Sequence, residues 1–160
     1  MIRLIAAIDR KRGIAKHGFQ PWSIPDDERY FTDQTKSKGA CVLIGNSTFK
    51  IFKNPLADRQ NFVLTRDELN MKGVVRVHDL KEFLDELGDK DIWVAGGASV
   101  YAQVIDLGKA DELYITHIDA DFACDQFFPD FEDKFTKTEE GQAQEQNGFN
   151  FTYTKYAKKG

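Results

Sequence analysis

Apolar residues along this chain come in short runs, each stopped by charge, glycine or proline. Ile2 to Ile8 is almost wholly apolar and ends on Asp9-Arg10-Lys11-Arg12, the form of a buried strand. Ala40-Cys41-Val42-Leu43-Ile44, closed by Gly45, and Asp91-Ile92-Trp93-Val94-Ala95, leading into Gly96-Gly97, have the same form. Asn61 to Thr65, Val74 to Val77, Glu112 to Asp119 and Phe149 to Tyr156 are further strands, the last one antiparallel at a sheet edge. Helical spacing fills the intervals. Pro25-Asp26-Asp27-Glu28 predicts a helix start after Ser23-Ile24, because proline suits the first turn and acids suit the positive end of the helix dipole. That helix runs to about Ser37, with Tyr30, Phe31 and Gln34 in its middle turns. Asn46-Ser47-Thr48-Phe49 turns into a short helix, and Asp79 caps another over Leu80, Phe83, Leu84 and Leu87, spaced i, i+3, i+4, i+7. A fourth helix spans Val100 to Ile105, whereas residues 9–24, with Gly13, Gly18 and Pro21, form a long loop of the kind that is usually functional. The alternation predicts one α/β domain over residues 1–160: a central, mainly parallel β-sheet with an antiparallel C-terminal edge strand and flanking helices.

Composition narrows the function. With 41% hydrophobic and 30% charged residues, the 160-residue chain has enough apolar material for a packed core and is not a disordered polymer. A net charge of −4 without a basic run argues against nucleic acid as a partner. Two cysteines, Cys41 and Cys124, make neither a disulfide framework nor a zinc site, and His17, His78 and His117 lack metal-ligand spacing. The reading is therefore a metal-free protein of a reducing, cytoplasmic compartment. The N-terminus has no signal-peptide pattern, and no apolar run approaches the roughly 20 residues of a membrane span.

Chemistry concentrates at a few places. Gly96-Gly97-Ala98-Ser99, between a strand and a helix, could present backbone N–H groups to a phosphate, although no third glycine completes a GxGxxG pattern. Gly45-Asn46-Ser47-Thr48 is a second turn of this type, and two such turns suit a dinucleotide. Asp27 follows Pro21-Trp22-Ser23-Ile24-Pro25 and has Phe31 one turn on; a carboxylate on such a face can bind and help protonate a nitrogen heterocycle. Asp26 and Glu28 flank it, and spacing alone does not choose among the three acids. Arg59, in a turn before a strand, could grip a substrate carboxylate, and Arg66 could pair with a phosphate; both residue types are more often plain surface charges.

Taken in order, these pieces resemble the bacterial dihydrofolate reductase family over nearly the whole chain. They are Leu4-Ile5-Ala6-Ala7, Pro21-Trp22-Ser23-Ile24-Pro25-Asp26-Asp27 with Phe31, Ile44-Gly45 with Ser47-Thr48-Phe49, and Pro55-Leu56 with Arg59-Gln60-Asn61. Val94-Ala95-Gly96-Gly97 with Val100-Tyr101, Leu113-Tyr114-Ile115-Thr116, and Asp125 with Phe127-Phe128-Pro129 follow. The resemblance implies NADPH-dependent reduction of 7,8-dihydrofolate to tetrahydrofolate for one-carbon metabolism, in a monomer sensitive to antifolates such as methotrexate or trimethoprim. It implies that Asp27 promotes protonation of the pterin, with Thr116 linked to it and Trp22 beside an ordered water. It further implies that Arg59 grips the glutamate tail, while Ile5, Ala6, Phe31, Phe52, Leu56, Ala95 and Tyr101 line the substrate pocket. On the cofactor side it implies Ala7, Ile14, Gly45, Asn46, Ser47, Thr48, Thr65, Arg66, Gly96, Gly97, Ala98, Ser99, Val100 and Tyr101. Residues 9–24 correspond to a mobile loop that closes over the nicotinamide.

The chain departs from that pattern at five positions. Asn46 replaces a basic residue, which leaves Arg66 to carry more of the 2′-phosphate contact. Ala98 replaces a third glycine, and Ala15 and Gln20 replace the usual glycine and apolar residue of the loop. Glu28 stands where an apolar pocket residue is usual; if it and Asp27 both face inward, it would raise the pKa of one of the pair and repel the anionic tail of folate. Two other readings remain at this level: a same-fold pyrimidine reductase of riboflavin synthesis, and a nucleotide-binding module without catalysis.

Overall fold

In the computed structural model, which describes all of residues 1–160, the first strand, β1 (Ile2–Ile8), has hydrogen-bonded neighbours on both sides. Both are parallel to it: β6 (Ile92–Val94) places Val94 beside Leu4, and β7 (Glu112–Ile118) places Leu113 beside Leu4 and Thr116 beside Ala7. Beyond β6 come β3 (Cys41–Gly45), β4 (Gln60–Leu64) and β5 (Val74–Val77), all parallel. Beyond β7 lies β11 (Phe149–Lys158), antiparallel, as the sequence predicts, with Tyr153 opposite Thr116.

The edge placement is corrected. β11 is paired on its far side by β9 (Phe135–Glu140) along its C-terminal part and β10 (Gln144–Gln146) along its N-terminal part, giving a nine-stranded sheet. Five of the six residues of β9 are exposed, so this edge strand offers no apolar run, and its pairing comes from β11. The loop over residues 9–24 also has order of its own: β2 (Gly13–Ala15) pairs with β8 (Gln126–Phe127), and Lys16 bridges Phe19.

Alternation along the central strands sorts side chains to two faces. Leu4, Leu43, Ile92, Val94, Leu113 and Ile115 pack with α3 (Leu80–Glu86) and α4 (Ala98–Asp106), contributing Leu80, Leu84, Val100, Val104 and Ile105. Their neighbours Ile5, Val42, Trp93 and Tyr114 point the other way, against Tyr30, Phe31 and Leu56, so this face is covered by α1 (Pro25–Lys36). The Asp79 carboxylate caps α3 at the Glu82 N–H (3.0 Å). α1 has no side-chain cap and relies on Pro25 and its three first-turn acids. The remaining helix, α2 (Asn46–Phe52), leaves the carboxyl end of β3 directly.

Asp9 joins the start of the long loop to the segment after β7. Its carboxylate, 3% exposed, accepts the N–H groups of Lys11 (2.9 Å), Gly13 (2.7 Å) and Phe122 (3.1 Å). Asp125 does the same nearer the tip, accepting from the His17 N–H (3.0 Å) and donating its own N–H to Ala15 O (3.0 Å). Removing the Asp9 carboxylate strands buried donors, so Asp9→Ala should cost at least about 2 kcal/mol in denaturant unfolding. Asp119→Ala, which breaks an exposed ion pair with Arg10 (2.7 Å), should leave the unfolding midpoint almost unchanged. Equal costs would show that Asp9 does not hold the loop.

Candidate active site

The carboxyl ends of β1, β6 and β3 lie side by side, at the place where the chain turns from building one side of the sheet to building the other. In α/β sheets this is where ligands bind. Three groups of side chains meet there.

The first group surrounds Asp27. Thr116, 3% exposed on β7, donates its hydroxyl to Asp27 Oδ1 at 2.7 Å. Tyr30, on the same face of α1, stacks on Tyr153 with ring centroids 4.0 Å apart, and Tyr153 lies opposite Thr116 in the sheet. Burial among these groups pushes the Asp27 carboxyl up to about 6; the Thr116 hydrogen bond opposes the shift and the Glu28 charge adds to it. The acids now separate. Asp26 is tied to the surface, its N–H donating to Gln146 Oε1 (2.7 Å) and its carboxylate pairing with Arg29 (2.9 Å). Glu28 is exposed and acts on Asp27 only through its charge. Trp22, 6% exposed, packs on Phe122, and its buried Nε1–H meets no acceptor within the protein.

The second group forms an apolar slot ending in a cation. Ile5 is buried, and Phe31, Leu56 and Ala95 are half-buried around it; Ala6, expected in the same pocket, alternates to the α3–α4 face of the sheet, and Phe52 ends α2 38% exposed. Arg59 closes the far end, its Nη1 donating to Thr35 Oγ1 (2.8 Å) and its Nε to Ala57 O (2.9 Å). Neighbouring Asp58 pairs with Lys36 (3.5 Å), and burial lowers the Arg59 pKa from its ordinary value, with Asp58 opposing. Asn61, 1% exposed, fixes the turn: its amide donates to Leu56 O and Arg59 O, and its Oδ1 accepts from the Leu56 N–H (2.8 Å). Sequence reasoning placed Asn61 in a motif without a role; a buried asparagine just after a turn was the available signal.

The third group is the pair of glycine turns. Gly45 N–H donates to Gly96 O (2.9 Å), joining them, and the Gly96–Gly97 peptide is cis. Gly96 has φ +127°, a conformation that favours glycine. A Cβ on Gly97 would lie 2.9 Å from Thr48 Oγ1, and one on Gly45 would lie 2.9 Å from Val100 Cγ2. Only bare backbone fits, beside the first-turn N–H groups of α4 that begin at Ala98 and Ser99, so the turn can take a pyrophosphate. Tyr101 holds this turn to the sheet: its hydroxyl donates to Ile5 O at 2.6 Å, and burial raises its pKa. Ala7 is buried and Ile14 half-buried on the loop side, while Phe19 at the loop tip is 64% exposed. Past Asn46 and exposed Ser47, a cleft of about 420 Å³ is lined by buried Thr65, exposed Arg66 and residues the sequence reading did not place: Asp67, His78 and Gln103. Asn46 Nδ2 donates to Asp67 Oδ2 (3.2 Å).

Comparisons with known proteins agree with this geometry. The family model for dihydrofolate reductase matches residues 1–158. A dihydrofolate reductase of Bacillus subtilis is 34% identical, covering 99% of this chain and 95% of its own length. One of Drosophila melanogaster is also 34% identical, covering 94% of this chain and 93% of its own. The solved structure of the Enterococcus faecalis dihydrofolate reductase, complexed with NADP(H) and RAB-propyl, superposes with a TM-score of 0.85 at 28% identity, covering 100% of this chain and 97% of that one.

The raised carboxyl has a stability consequence. Asp27 binds its proton more tightly folded than unfolded, so the charged form penalises the fold by up to about 3 kcal/mol above pH 6. The penalty shrinks as pH falls and is gone below about 4, the ordinary value. Asp27→Asn should therefore be the more stable protein at pH 7, with the gap closing between pH 6 and 4 in denaturant titrations. A gap independent of pH would contradict the raised carboxyl.

Proposed function

The chain belongs to the dihydrofolate reductase family, and from that premise we propose how its own residues carry the NADPH-dependent reduction of dihydrofolate to tetrahydrofolate. The observation that carries the assignment is the Asp27–Thr116 hydrogen bond, which holds a half-buried acid against a buried threonine of β7. NADPH supplies the hydride, received by a carbon of the pterin C=N bond; the adjacent nitrogen takes a proton, and tetrahydrofolate and NADP⁺ result. Asp27 holds that proton balance. With its carboxyl near 6, half is protonated at that pH and about a tenth at pH 7, far more than for an ordinary carboxyl, and Thr116 fixes its orientation through Oδ1. The buried Trp22 Nε1–H, without an acceptor in the protein, would donate to an ordered water.

Ile5, Phe31, Leu56 and Phe52 would hold the flat apolar body of the substrate, and Arg59, its fork oriented by Thr35 and Ala57, the carboxylate tail. The cofactor would lie across the glycine turns, with its adenosine half in the cleft beyond Asn46. Residues 9–24, anchored by Asp9 and Asp125, would cover the reacting centre and exclude water. Inhibition by antifolates, a monomeric state and a cytoplasmic location belong to the same reading. A pyrimidine reductase or a non-catalytic binding module would leave both the Asp27–Thr116 pair and the oriented Arg59 without a use.

Two assays test the roles. The kcat/KM for dihydrofolate should level off below about pH 6 and fall as pH rises beyond it. Asp27→Asn should lose about 10²–10⁴-fold at neutral pH and keep gaining rate as acid protonates free substrate. An Asn variant with near-normal neutral activity would end the assignment. Arg59→Lys should raise KM for dihydrofolate about tenfold and leave a substrate analogue without the glutamate tail nearly unaffected. Equal losses for both substrates would place Arg59 outside the pocket.

A further inference from the structure

The cleft beyond Asn46 poses an electrostatic problem. Its amide is engaged with the Asp67 carboxylate (3.2 Å), so the corner where β3 meets α2 brings no positive charge, and Asp67 brings a negative one. Exposed Arg66 is the cation on the near wall. The far wall is His78, just past β5, with Gln103 of α4 across from it, its amide donating to Ser99 Oγ (3.0 Å) near the start of that helix.

His78 is not a free ring. Arg76, two residues earlier on β5, sends Nη2 to both His78 Nδ1 (3.0 Å) and the backbone carbonyl of Arg66 (2.9 Å). A guanidinium only donates, so Nδ1 must be the acceptor of that contact. The ring proton therefore sits on Nε2, the nitrogen left for the cleft. Arg76 itself is three-quarters buried behind the wall, its Nη1 3.8 Å from Glu68 and its Nε without an acceptor in the protein. One arginine thus fixes two cleft elements together: the Arg66 backbone and the His78 tautomer.

We propose that His78 Nε2–H reads the 2′-phosphate of the cofactor's adenosine ribose in place of the cation that Asn46 lacks, with Arg76 as the positioning residue that keeps the proton on Nε2. The proposal rests on the cofactor reading above. An N–H aimed at a phosphate is a charge-assisted bond that a ribose hydroxyl does not match, so this contact separates NADPH from NADH. Asp67, whose carboxylate repels a phosphate, lines the same cleft and is engaged by the Asn46 amide.

The test compares two halves of the cofactors, adenosine 2′,5′-bisphosphate and adenosine 5′-monophosphate, by calorimetric titration of the whole protein. His78→Ala should weaken the bisphosphate by about tenfold or more and change the monophosphate less than about twofold. His78→Gln, which keeps a side-chain N–H donor, should recover much of the loss. ¹⁵N spectra of the wild-type ring should show a neutral His78 protonated at Nε2, and Arg76→Met should lose that single tautomer and weaken the bisphosphate. Equal weakening of both nucleotides by His78→Ala, no weakening of either, or a wild-type ring protonated at Nδ1 would each overturn the proposal. If the wild-type protein bound neither nucleotide and did not oxidise NADPH with dihydrofolate, the cofactor reading itself would fall, and this proposal with it. Retained activity with an indifferent His78 would remove the proposal alone.

Discussion

The hydrogen bond from Thr116 to Asp27 is the contact on which the proposed site depends. It ties the first turn of α1 to β7, the strand beside β1, and so fixes where a carboxyl can stand relative to the carboxyl ends of the parallel strands. Two demands meet there. The acid must be buried to hold a proton near neutrality, and a buried acid without a partner is expensive. One hydroxyl donor and a tyrosine stack meet both: Thr116 orients the carboxyl, and Tyr30 on Tyr153 surrounds it, while desolvation still outweighs the bond and leaves the carboxyl near 6.

The rest of the site follows from where the strands end. Gly45 and Gly96 sit at the ends of β3 and β6 and are joined by a backbone hydrogen bond. Tyr101 ties the start of α4 to Ile5 of β1, so the glycine turn and the apolar slot share one strand. Arg59 is oriented from the other end of the slot by Thr35 of α1 and the Asn61-held turn. The glycine turns, Asp27 and Arg59 are thus placed by a rigid sheet, and residues 9–24 are anchored to it by Asp9 and Asp125.

Legibility in the sequence tracked how local each cause was. Ile2–Ile8, Cys41–Gly45 and Ile92–Val94 are buried on both faces, so they read as continuous apolar runs, and Asp79 announced its helix by a local cap. β9 gave no such signal because nearly all of it is exposed and its pairing partner supplies the reason for its shape; the C-terminal strand therefore looked like an edge when it lies one place inside. At the site, Asp27, Thr116, Arg59 and the glycine turns were visible through their residue types and the family resemblance. The choice of Asp27 over Asp26 and Glu28 needed the fold, since it depends on which acid meets Thr116. Non-local orienters were invisible for the same reason: Asn61 under the Arg59 turn, Arg76 behind His78, and Asp67 against Asn46 act through contacts that spacing does not encode.

Everything turns on Asp27 holding its proton far above the ordinary carboxylate range. Difference infrared spectroscopy, wild type minus Asp27→Asn, isolates the protonated carboxyl band of this one residue as a function of pH. The account requires a titration centred near pH 6, shifted upward when Thr116→Val removes the bond that favours the charged form. A midpoint near 4, or one indifferent to Thr116, would contradict it.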